Sequence, residues 1–233
     1  MGGTTIPATV LVAMRDCFGA EPMVIMGMTE CSPLITQTRP GDGFARNSTT
    51  AGVPLPFTEI KVVAPDGEPV PLGSEGELCI RGYGVTPGYF DMPEQTAAAI
   101  DADGWLHSGD LATLDAEGFL RIVGRTKDMV IRGGENLYPA EMEHLLMGHE
   151  AVEQVQVVGV PDPEFGEEAF AFVVLRDNAT LTEAELRDWA RARFSRHKVP
   201  RYIRFVSDLP QTASGKVQKF ALREQARQWI SPP

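Results

Sequence analysis

The spacing of apolar residues changes along this chain near Arg125, and that change constrains the fold more than any other feature. Between residues 55 and 125, short runs with alternating apolar residues (TEIKVV, ELCIRG and the hairpin pattern LATLDAEGFLRIVG) are separated by turn-rich segments such as APDGEPVPLGSEG. A period of two lays one face of a strand on a core. Beyond Arg125, the strand patterns KDMVIRG, VEQVQVVGV, EAFAFVVL and RYIRFV alternate with helical ones. The helices are PAEMEHLLM, with Met142, Leu145 and Leu146 inward, TEAELRDWARARF, with capping-box spacing from Thr182 to Glu185, and KFALREQARQW. The chain therefore divides into a mostly β region, 1–125, and a compact α+β unit, 126–233, with the boundary at 125–128.

The amino-terminal region opens on PATVLVAMRDCF, which reads as a short amphipathic helix with Val10, Leu11 and Met14 on one face, Thr5 as N-cap and Pro7 in the first turn. PMVIM, 22–26, follows as a brief buried strand that delivers the chain to the polar turn MGMTEC. A strand ending in such a turn is a common site of ligand contacts.

With 233 residues, 43% of them hydrophobic, the chain can bury a sizeable core. Its formal net charge of −11 excludes general binding to nucleic acid or to anionic membranes, so an anionic ligand has to be met by local positive groups. Three cysteines without CxxC spacing and four histidines give no zinc pattern, and the compartment reads as reducing cytoplasm. Neither a basic leader nor an apolar run of bilayer-spanning length is present.

PQTASGKVQK, 210–219, looks like a phosphate loop but is not a Walker A motif: Pro210 stands where the first glycine belongs, and Val217 follows Lys216 in place of Ser or Thr. Taken alone, Lys216 is a lysine on a small-residue turn, and a solvated loop charge is the plainer explanation. Together with MGMTE (26–30), GWLHSGDLA (104–112) and GFLRIVGRTKDMVIRGGENLYPAEME (118–143), however, it resembles the motif set of the adenylate-forming (AMP-binding) superfamily, most closely its medium-chain acyl-CoA synthetases. The resemblance covers essentially the whole chain, in the family's order.

The resemblance implies the carboxyl-terminal part of the large adenylate-forming domain over 1–125 and the small mobile domain over 126–233. It also implies a two-step reaction of ATP, a fatty or other carboxylic acid and coenzyme A through an acyl-AMP. Lys216 then matches the lysine that reaches the α-phosphate, and Thr29 a hydroxyl that meets a phosphate oxygen. Glu30 matches the Mg2+ carboxylate, and Asp110 and Arg125 the contacts to the nucleotide sugar. Gly3, Thr4, Met26, Gly27 and Met28 fall on the nucleotide-binding segments, with Met26 standing where the family has an aromatic residue. Lys127 matches the hinge, and Gly133, Gly134 and Glu135 the loop that approaches the pantetheine of CoA. Taken without the resemblance, Asp110 in HSGD is a turn former, Gly133-Gly134 a hairpin turn, and Thr29-Glu30 a helix-capping pair.

The family's Ser/Thr/Gly-rich phosphate loop ending in Pro-Lys-Gly is absent from the 233 residues; NSTTAGVPLP, 47–56, lacks both its core and its lysine. The expectation is therefore a chain that needs a missing amino-terminal portion for activity, or that self-associates. The alternatives are a non-catalytic AMP- or CoA-binding module and a non-functional product.

Overall fold

The computed structural model describes residues 8–213 and 215–230. The chain splits into two compact units, 1–126 and 127–233.

In the first unit, helix α1 (Ala8–Phe18) leads to a small antiparallel sheet of β1 (Ile25–Gly27), β2 (Leu34–Gln37) and β3 (Val53–Pro54), with helix α2 (Gly43–Thr49) between the last two. A four-stranded antiparallel meander follows, β4 (Thr58–Val63), β5 (Gly76–Gly82), β6 (Leu106–Leu114) and β7 (Leu120–Arg125), with helix α3 (Pro93–Ala99) inserted before β6. Ile60, Val62, Leu78, Ile80 and Leu106 point to one face of the meander and share a cluster with Ile35, Ala112 and Leu120. The opposite face carries a polar row in which Lys61, Cys79 and His107 stand in register on β4, β5 and β6. This is the alternation a half-covered antiparallel sheet requires.

Among the described residues of α1, Leu11 is fully buried, Val10 is exposed and Met14 is partly so. One expectation for this unit needs correction. The strand expected over 22–26 begins at Ile25, and all three residues of β1 are half-buried, because the strand is held only by β2 at one edge of its small sheet. Thr5 and Pro7 lie outside the described residues.

The second unit is organised around two long strands, β10 (Val152–Asp162) and β11 (Gly166–Leu175), paired antiparallel along their length. β12 (Tyr202–Phe205) adds parallel to β11, and the short hairpin β8 (Val130–Arg132) and β9 (Glu135–Leu137) meets β11 at Gly166. Ala169, Ala171 and Val173 face a cluster closed by α4 (Pro139–Leu146) and α5 (Glu183–Arg191), while Phe170, Phe172 and Val174 face one closed by α6 (Lys219–Ile230). Burial on both faces explains why AFAFVV is continuously apolar rather than alternating. The capping box at Thr182 is formed in both directions: its hydroxyl accepts from the Glu185 N–H, and the Glu185 carboxylate accepts from the Thr182 N–H.

Candidate functional site

The HSGD segment is a bulged strand, not a turn. Between β5 and β6, Cys79 pairs with His107 and Glu77 with Leu111, so two extra residues of β6 are absorbed in the interval. Gly109 takes them up in the left-handed region, φ 69°, and donates its N–H to Glu77 Oε1 at 3.0 Å. Ser108 anchors the bulge by donating to the Leu78 carbonyl at 2.7 Å and accepting from the Asp110 N–H at 3.1 Å. Bulges re-aim the side chain that follows them. Here that residue is Asp110, which lies opposite Arg125 on β7 and accepts from Arg125 Nε at 2.6 Å. Two candidates for nucleotide-sugar contact, 15 residues apart in sequence, are thereby brought together, with the Asp110 side chain 14% exposed and that of Arg125 half-exposed. A carboxylate retains lone pairs after accepting one such bond and can take further donors.

MGMTE closes β1 and opens a single 3₁₀ turn, Thr29–Cys31. Gly27 is sterically fixed: a Cβ there would stand 1.8 Å from the Pro33 carbonyl oxygen. Met26 and Met28 pack on the core of the first unit, Thr29 is exposed, and Glu30 is half-buried. Glu30 Oε1 accepts from the Tyr89 hydroxyl at 3.1 Å, and the Glu30 carbonyl accepts from the Thr86 N–H at 2.8 Å. Partial burial, followed by these interactions with Glu30, pushes the Tyr89 phenol up. One half-buried carboxylate beside an exposed hydroxyl fits Mg2+, which takes one or two protein carboxylates and draws its remaining oxygens from phosphate and water. Tyr89 was not legible as a site residue, because no local pattern links it to a residue 59 positions earlier. Gly3 and Thr4 lie outside the described residues.

In the second unit, Lys127 occupies a 3₁₀ turn, Thr126–Asp128. Its neighbour Asp128 accepts from Arg223 Nη2 at 2.7 Å and lies 3.6 Å from Lys219 Nζ. Arg223 also donates to the Lys127 carbonyl at 3.2 Å, and Lys219 to Glu143 Oε1 at 3.2 Å. Burial alone would raise the Asp128 carboxyl, but Lys219, Arg223 and Lys127 together hold it below the usual carboxylate range. α6 is thus tied by charge to the first turn of the unit, a network that sequence reasoning missed because its partners lie about 95 residues apart.

Gly133 and Gly134 form the two-residue turn between β8 and β9, with φ 58° and 86°. Positive φ at both positions favours a glycine pair. The turn is buttressed from the β10–β11 connection: Gly133 N–H donates to the Phe165 carbonyl at 2.8 Å, and the Arg132 guanidinium lies 4.1 Å from the Phe165 ring centre. Glu135 is exposed, 3.9 Å from His197.

Lys216 is exposed on a tight loop closed by the bridge between Gln211 and Val217. Thr212 N–H donates to the Lys216 carbonyl at 2.8 Å, and Thr212 Oγ1 accepts from the Lys216 N–H at 3.2 Å. The backbone of Lys216 is therefore held while the residue stays exposed.

Family models match over both parts of the chain: that of the AMP-binding enzyme over residues 1–90, and that of the AMP-binding enzyme C-terminal domain over 141–216. The chain belongs to the AMP-binding enzyme family. The Bacillus subtilis protein YngI, whose name places it with the acyl-CoA synthetases, is 49% identical to this AMP-binding family chain over 227 residues, 97% of the chain and 41% of YngI. A mitochondrial medium-chain acyl-CoA ligase of Rattus norvegicus is 46% identical over 232 residues, 99% of the chain and 38% of the relative. Among solved structures, ATP-bound MatB from Rhodopseudomonas palustris superposes with a TM-score of 0.90 at 34% identity, over 99% of the chain and 45% of MatB. The fold is that of the adenylate-forming enzymes, and the chain spans about two fifths of the length of these curated relatives. Among the described residues, no helix is long and apolar enough to cross a membrane.

Proposed function

We propose that this chain is the sugar-gripping, hinge and lysine-bearing portion of an ATP-dependent acyl-CoA ligase, acting with the remainder of such an enzyme. The observation that carries this reading is the Asp110–Arg125 pair, aimed by the Gly109 bulge and placed just before the Lys127 turn.

In the first half-reaction, a carboxylate oxygen attacks the α-phosphorus of ATP and pyrophosphate leaves. Asp110 accepts from the ribose hydroxyls, Arg125 orients that carboxylate, and Thr29 meets a phosphate oxygen. Glu30 would hold Mg2+, which supplies charge neutralisation at the phosphates when bound. Lys216 presents its cation where negative charge develops, a contribution of about 10²- to 10³-fold for one such donor in other enzymes. In the second half-reaction the CoA thiol, losing its proton, attacks the acyl carbon and AMP leaves. For this step Lys127 acts as the hinge, and the Gly133-Gly134 turn, with Glu135, approaches the narrow pantetheine arm. The three free cysteines, Cys17, Cys31 and Cys79, suit a reducing compartment.

Pyrophosphate release with ATP and a panel of fatty acids, assayed on the chain alone and on the chain joined to the amino-terminal portion of a homologous ligase, tests the proposal. Acid-dependent release by the joined protein is expected, and its absence contradicts the reading. A second reading is a nucleotide- or CoA-binding module without chemistry. That reading predicts AMP or CoA binding with no release in either form.

A further inference from the structure

On the polar face of the four-stranded meander, away from its core, three side chains of different chemistry converge. Cys79 Sγ lies 3.5 Å from His107 Nδ1, and His107 Nδ1 lies 2.9 Å from Glu77 Oε2. All three ligand atoms fall within 4.8 Å of one another. The strands impose this convergence: Cys79 and His107 are register partners, and Glu77, two residues from Cys79 on β5, shares its face. The same bulge that aims Asp110 turns Gly109 N–H onto the other oxygen of Glu77, leaving Oε2 for the cluster.

From these residues we propose a Zn2+ site made of Cys79 Sγ, His107 Nδ1 and Glu77 Oε2, with one coordination position open to water. Nothing in the ligase reaction assigns this site, and it stands independently of the function proposed above. Zn–S and Zn–N bonds of about 2.3 and 2.0–2.1 Å at tetrahedral angles put sulfur and nitrogen about 3.6 Å apart and nitrogen and oxygen about 3.4 Å apart. The sulfur–nitrogen distance already matches, and the His107–Glu77 contact has to open by about half an ångström. On the far side of the ring, Asp101 Oδ2 lies 3.6 Å from His107 Nε2. It stands where a carboxylate orients a metal-bound imidazole. Asp101 is itself fixed, because its other oxygen accepts from the Asp103 and Trp105 N–H groups at 2.9 Å.

Charge balance favours the same ligand. Lys61 is the register partner of Cys79 and lies over Trp105 at 4.5 Å. With Cys79 as thiolate, Glu77 and Asp101 bring the negative charges to three, matched by Zn2+ and Lys61. Burial, and then the charge of Glu77, push the Cys79 thiol up to about 12, so binding releases its proton to solvent. Cys79 is fully buried while Glu77 and His107 keep about a third of their side-chain surface, which gives the ion a route in.

The test is a Co2+ titration of the full chain carrying Cys17→Ser, which removes the exposed thiol, followed by displacement with Zn2+. One equivalent of Co2+ should produce a thiolate-to-cobalt charge-transfer band that Zn2+ abolishes. Cys79→Ser should remove the band, His107→Gln should weaken Zn2+ at least tenfold, and Asp101→Asn, a positioning change outside the ligand set, should weaken it about tenfold with the band retained. Each variant is checked by thermal unfolding, and if Cys79→Ser does not fold, the other two variants decide. No band in the parent protein, a band unchanged by Cys79→Ser, or Zn2+ affinity indifferent to both His107→Gln and Asp101→Asn overturns the site.

Discussion

The two units bury their apolar residues differently. Around β10 and β11 the second unit has a core on each face of its sheet, each closed by its own helices. The first unit covers one face of its meander and leaves large side chains in solvent: Phe90 is 98% exposed, Phe57 87% and Tyr83 80%. A two-faced core makes the second unit self-sufficient, whereas the first offers apolar surface on which other protein can pack.

The largest effect expected from this contrast comes from separating the units. Residues 127–233 expressed alone should give a cooperative thermal transition, while 8–126 alone should self-associate in light scattering. A cooperative, monodisperse 8–126 would break the comparison. Next in size, Phe172→Ala, emptying a side chain packed against Phe170 and Trp229, should cost about 3–5 kcal/mol in chemical denaturation of the second unit.

A smaller effect belongs to Asp128. Asp128→Asn should lower stability by about 1–3 kcal/mol at neutral pH by removing a charged partner from Arg223 and Lys219. Because the carboxyl is held below its ordinary value in the folded protein, its stabilisation is full above the unfolded value, about 4, and is lost as pH falls through the lower folded value. The gap in melting temperature between parent and variant should therefore close on acidification and not on alkalinisation. Smallest of all, Thr182→Ala should cost about 1 kcal/mol through the lost cap of α5, read as a shift in denaturant midpoint.

What could be read from sequence was what periodicity and fixed-offset chemistry encode. The strands of the meander, α4 with Met142 and Leu146 buried, and the capping box at Thr182 all follow from patterns within a dozen residues. Asp110, Arg125, Lys127 and Lys216 are candidates by motif, but no motif encodes their surroundings. The bulge at Gly109 depends on cross-strand register, which no local pattern in HSGD reveals. The Tyr89–Glu30 and Asp128–Arg223 contacts join residues 59 and 95 positions apart, and the Glu77–Cys79–His107 cluster exists only because β5 and β6 pair as they do.

The central claim is that the first unit holds the nucleotide in both half-reactions while Lys216 serves only one. In the chain joined to a homologous amino-terminal portion, acyl-AMP formation and the reaction of preformed acyl-AMP with CoA should be timed separately for Asp110→Ala and Lys216→Ala. Asp110→Ala should impair both steps, and Lys216→Ala should slow adenylation by about 10²- to 10³-fold while leaving thioester formation within a few-fold of the parent. Equal losses in both steps for Lys216→Ala would contradict the account.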